Sequence, residues 1–192
     1  YLAEVRGIID ANRVKQTVDQ LAELPSLVAT TLELNGEISQ LAERISTFED
    51  LLYLGRGAQL PIALEGALKM KELAYIHAEG YPAGEMKHGV NALLGPDMAT
   101  VVCAPKNDLY EKMLSNISEV KARGGEVAAI VTEGDDVVNR IPDHVIQVPD
   151  SPELLQPFMT LVPMQILAYR TALALGKDPD KPRNLAKTVT VE

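Results

Sequence analysis

Glu65, Lys69 and Glu72 are spaced i, i+4, i+7. On a helix that spacing puts two carboxylates and an amine on one stripe. His88 follows in a loop bracketed by Gly84 and Gly89, beside Glu85 and Lys87. A carboxylate, an amine and an imidazole converging beyond the end of a strand are what proton transfer on a small substrate needs. By spacing alone, the three helical charges read first as a solvated ion-pair ladder. The rest of the helix argues against the ladder. Ile62, Leu64, Leu68, Leu73 and Ile76 are apolar, and Ala63, Gly66 and Ala67 allow close packing. Such a helix is expected to be mostly buried, and its charges then need a cleft.

Those residues must be positioned by strands and helices that alternate along the chain. Apolar runs predict strands at 50–55, 99–104, 126–132 and 144–148. Helices are predicted at 12–23 and 26–34, split at Pro25, and at 35–47, 61–79, 108–123 and 154–175. Pro61 suits the first position of the 61–79 helix, and Gly80 its end. Residues 1–10 read as the tail of another helix. The expected fold class is α/β, a three-layer α-β-α sandwich on a mostly parallel four- or five-stranded sheet. Ligands in such sheets lie outside the carboxyl ends of the strands, which places Gly55–Gly57 at the mouth. Gly55-Arg56-Gly57 lacks the third glycine of a dinucleotide fingerprint and the Gly-Lys-Ser/Thr of a P-loop. It reads as a tight turn needing positive φ.

The 192 residues carry a formal net charge of −9. That excludes nucleic acid and anionic membranes as main partners, because no basic patch neutralises phosphates. A single cysteine makes no internal disulfide and fits a reducing, cytoplasmic setting. Cys103 lies in the apolar run ATVVCAP and reads as core filler. No apolar run reaches membrane-spanning length, and no signal peptide is visible. His77 and His144 read as ordinary surface or satisfied histidines. Three scattered histidines offer no metal spacing, so neither metal nor cofactor is expected. Lys187 sits in the last segment after Arg183 and Asn184. A frayed end is the bland reading. LAKTVTVE is apolar and β-branched, however, and packed as a lid it would desolvate the Lys187 amine. Desolvation lowers a lysine pKa and makes it a nucleophile towards carbonyls.

The strings PIALEGALK, KEL, YIHAEGY, KHG, RGGEV and PRNLAKTVTVE closely resemble the glucosamine-6-phosphate synthase family, also called glutamine–fructose-6-phosphate aminotransferase (isomerising). The resemblance is to its second sugar-isomerase (SIS) domain and covers nearly the whole chain. It implies that residues 1–46 are a helical linker from a preceding SIS domain with N-terminal helices. Residues 47–176 are then the SIS domain, and 177–192 a lid over the active site. The chain begins on Tyr1, mid-pattern, and reads as a fragment lacking the glutaminase and first SIS domains. The resemblance implies fructose 6-phosphate and glucosamine 6-phosphate as ligands, and a homodimer. Glu72 would move a proton between C1 and C2, with Lys69 stabilising the enolamine charge. His88 would assist ring opening, reaching into the neighbouring subunit's site. Lys187 would form a Schiff base with the open-chain ketose. Glu65, Arg183 and Ala186 would contact the substrate. The family's Ser/Thr-rich phosphate loop is missing here, and the acidic stretch Thr132–Asp136 would repel a phosphate. The isolated chain is therefore expected to be weakly active or inactive. The alternatives are a non-catalytic phosphosugar-binding or dimerisation module, and another SIS sugar-phosphate isomerase.

Overall fold

Apolar residues occupy both faces of the central strands, so the sheet requires a layer of helices on each side. The computed structural model, which describes residues 1–185, has that form. Its elements are α1 (Leu2–Val5), α2 (Ala11–Leu32), α3 (Asn35–Ile45), β1 (Asp50–Gly55), α4 (Gln59–Leu73) and β2 (His77–Pro82). They continue with β3 (Met98–Ala104), α5 (Tyr110–Lys121), β4 (Glu126–Thr132), β5 (His144–Val148) and α6 (Gln156–Ala174). The five strands are all parallel in the order β2-β1-β3-β4-β5. Leu51 and Tyr53 of β1 face a core shared with α3, α4 and α6. Leu52 and Leu54 alternate to the other face and pack with α5.

Two expectations about element boundaries are corrected. The helix expected to run to residue 79 stops at Leu73, and β2 follows at once. Tyr75, at φ +61°, turns the chain out of the helical path. Gly80 is no helix end. It lies mid-strand against α4, where a Cβ would stand 2.7 Å from the Leu64 Cα. At Pro25, α2 is continuous. Proline frees one carbonyl of the preceding turn, that of Leu21, and Leu21 lies on an exposed face where water can serve it.

The packing of α4 fixes everything that follows. Ala63, Gly66, Ala67 and Met70 form its buried side. A Cβ on Gly66 would lie 2.4 Å from Met164 Sδ of α6 and 2.9 Å from the Tyr53 ring of β1. Helix, sheet and α6 thus approach as closely as backbone allows. Gly66→Ala should cost about 1–3 kcal/mol, read as a lowered denaturant midpoint. Combined with Met164→Ala, the total loss should be smaller than the sum of the two single losses, because the flexible thioether is the nearer obstacle. No change in midpoint would show that α4 sits less tightly than described.

Candidate functional site

The outer stripe of α4 carries the charged residues. Lys69 Nζ donates to Glu72 Oε2 at 2.5 Å and lies 3.6 Å from Glu65 Oε1. All three side chains are about one-third exposed, so this is neither a buried pair nor a fully solvated ladder. The hydrogen bond to Glu72 raises the Lys69 pKa, with partial burial opposing it. The amine is therefore held as a cation. That makes it a poor nucleophile and a good partner for developing negative charge.

Glu72 opens onto a cleft of about 540 Å³. Leu68, Tyr75 and His77 line one side, and Arg183, Asn184 and Leu185 the other. The chain beyond α6 thus returns across the end of α4. The Arg183 backbone N–H donates to Tyr75 Oη at 2.8 Å. The Arg183 guanidinium stacks 4.3 Å from the centre of the Tyr75 ring. Ala186 and Lys187 lie outside the described residues.

His88 is elsewhere. α4 runs antiparallel to the strands, so Glu72 lies near their amino edge, one turn before β2 begins. β2 then runs its six residues to the carboxyl edge, a length of roughly 20 Å. His88 follows in a 3₁₀ turn (Ala83–His88). The convergence expected beyond a strand end does not occur within one chain. Nor is the loop loose. Met86 is fully buried beneath it, and Lys87 pairs with Glu119 of α5 at 3.0 Å. The His88 ring is exposed, 3.7 Å from Glu85.

At the expected mouth on the carboxyl edge, loops hydrogen-bond to one another beside a cleft of about 610 Å³ lined by Ala58, Pro152, Glu153, Leu154 and Pro157 and by Arg13, Thr17 and Gln20 of α2. Gly57 takes φ +53°, and a Cβ on Gly55 would stand 2.2 Å from the Gln59 carbonyl oxygen, so this turn is scaffolding. The Lys106 N–H donates to Thr132 Oγ1 and the Leu109 N–H to Asn107 Oδ1. Those two N–H groups are therefore engaged by side chains rather than free for a phosphate.

The remaining candidates fall into structural roles. His144, without an evident partner in the sequence, meets Glu126 at 3.0 Å, and the same carboxylate holds Arg44 of α3. Cys103 is fully buried, and burial pushes its thiol pKa up. Among the described residues no group of three or more His, Cys, Asp or Glu side chains could hold a metal ion. No described helix is long and apolar enough to cross a membrane. Sequence reasoning missed Tyr75 and underrated His77, which lies on β2 in the cleft wall with Nδ1 2.7 Å from Asp50 Oδ1. The adjacency of His77 to the charged stripe was the available signal, and the misplaced helix end concealed it.

The SIS domain model matches residues 45–175. The chain belongs to the SIS domain family. It is 50% identical over 191 residues to the glutamine–fructose-6-phosphate aminotransferase (isomerizing) of Bacteroides thetaiotaomicron. It is 50% identical over 192 residues to the enzyme of that name from Thermus thermophilus. Each match covers the whole chain, which spans 31% and 32% of those curated relatives and corresponds to their C-terminal part. Among solved structures, the C-terminal domain of glucosamine-fructose-6-phosphate aminotransferase from Francisella tularensis superposes with a TM-score of 0.88. It is 37% identical, over 93% of this SIS domain chain and 50% of that one.

The Lys69–Glu72 pair has a direct chemical signature. Because its pKa is raised, Lys69 carries less free amine than an unpaired lysine at pH 9. Acetic anhydride should therefore label Lys69 more slowly than Lys71, and Glu72→Gln should speed that labelling selectively. Equal labelling of Lys69 before and after the substitution would contradict the pair.

Proposed function

We propose that this SIS domain is the isomerase portion of a cytoplasmic glutamine–fructose-6-phosphate aminotransferase. The observation that carries the reading is the Lys69–Glu72 pair, whose Glu72 opens onto a cleft also lined by the chain arriving from α6. Half identity along the whole chain to enzymes of that name supports it.

In this reading the Lys187 amine attacks C2 of open-chain fructose 6-phosphate and releases water as the Schiff base forms. Glutamine-derived ammonia then replaces Lys187 at C2. Glu72 takes a proton from C1 and returns it to C2. The Lys69 cation faces the charge that develops on the enolamine between those steps. Glu65 steadies Lys69, and Arg183 and Ala186 border the sugar. The phosphate grip and the ammonia supply belong to the portion of the enzyme outside this chain. Without that remote binding energy the isolated domain turns over slowly or not at all.

His88 assists ring opening from a second copy. Its own Glu72 is about a strand length away, so a His88 that works on the sugar works across a homodimer. In the full-length protein, Glu72→Gln should lower exchange of the C1 proton with solvent by about 10²–10⁴-fold. Undiminished exchange removes Glu72 from the role of base. Coexpressing Glu72→Gln chains with His88→Ala chains should restore roughly a quarter of the parent activity, because each hybrid dimer holds one intact site. No recovery would place His88 in the site of its own chain.

A further inference from the structure

Among the described residues, only Tyr75 and Asn184 are non-glycine residues with positive φ, at +61° and +62°. They are 109 positions apart, yet both line the cleft that holds Glu72. Asparagine adopts that conformation readily, whereas a bulky aromatic does so at a cost. Strain of this kind persists where the surroundings hold it, and it clusters at functional sites. Here the surroundings are identifiable. The left-handed turn throws the Tyr75 side chain off the end of α4. Its hydroxyl accepts the Arg183 N–H at 2.8 Å. The Arg183 guanidinium lies 4.3 Å from its ring centre, and Lys177 Nζ lies 5.7 Å from it. One aromatic ring therefore touches the chain beyond α6 at two separated residues.

We propose that Tyr75 is a positioning residue for the amine-bearing C-terminal segment. It seats residues 177–185 against the end of α4, with Arg183, Asn184 and Leu185 on the wall of the cleft that Glu72 lines. Lys187 follows Leu185 by two positions in the sequence. The cations at 177 and 183 are matched to the ring face, and the hydroxyl fixes the register through a backbone donor that any residue other than proline supplies. Tyr75 touches no reacting atom. It acts through Lys187 and so rests on the assignment made under the proposed function.

Borohydride trapping of fructose 6-phosphate on the full-length protein tests it, with the adduct on Lys187 followed by mass spectrometry. Tyr75→Gly removes the ring and hydroxyl while relieving the backbone. Measured well below its melting temperature, its rate of Lys187 adduct formation should fall about tenfold. Tyr75→Phe keeps the ring and loses only the acceptor, and should fall about threefold. Trapping at the parent rate in Tyr75→Gly overturns the proposal. So does a Tyr75→Phe protein that falls as far as Tyr75→Gly, because the ring face then contributes nothing to placing the segment. A parent protein that gives no Lys187 adduct fails differently, by removing the Schiff-base assignment itself.

Discussion

The closeness of α4 to the sheet and to α6 sets the geometry of the site. Ala63, Gly66 and Ala67 leave no side-chain layer between α4 and its neighbours. A single added methyl at Gly66 meets both Tyr53 and Met164. This contact fixes the rotation of the helix about its axis. Glu65, Lys69 and Glu72 then face outward as a consequence of what is buried opposite. The Lys69–Glu72 hydrogen bond keeps the amine charged.

The same contact places the Lys69–Glu72 pair in an unusual part of a doubly wound sheet. Ligands in such folds ordinarily sit at the carboxyl edge, where the strand order reverses. Here hydrogen bonds tie together the loops after β3 and β4 and the starts of α4 and α6 at that edge. The charged stripe lies on a flank, towards the amino edge. A flank is open on one side, so it needs walls from elsewhere. One wall is the chain beyond α6. The other, in the proposed reading, is supplied by a second copy bearing His88.

The spacing of the stripe was legible because helical periodicity reports which residues share a face. β1, β3, β4 and β5 were legible as continuous apolar runs. β2 was not, because HAEGYP is an edge strand and edge strands need no such run. Periodicity also says nothing about which end of a sheet a helical residue lies near. For that reason the opposite placement of Glu72 and His88 came only from the topology. Pro25 and Tyr75 misled in opposite directions. Proline is tolerated where water can serve the freed carbonyl, and tyrosine ended a helix that its neighbours would have continued. Neither follows from local propensity, because solvent access and tertiary contacts decide both.

The central claim is that an acid on α4 and an amine from the far C-terminus act on one sugar. The most direct measurement is a crystal structure of the full-length protein with fructose 6-phosphate bound. The account predicts the Glu72 carboxylate about 3–3.5 Å from C1 or C2, with Lys187 Nζ at C2 of the same molecule. A sugar bound with Glu72 or Lys187 far from those carbons would contradict it.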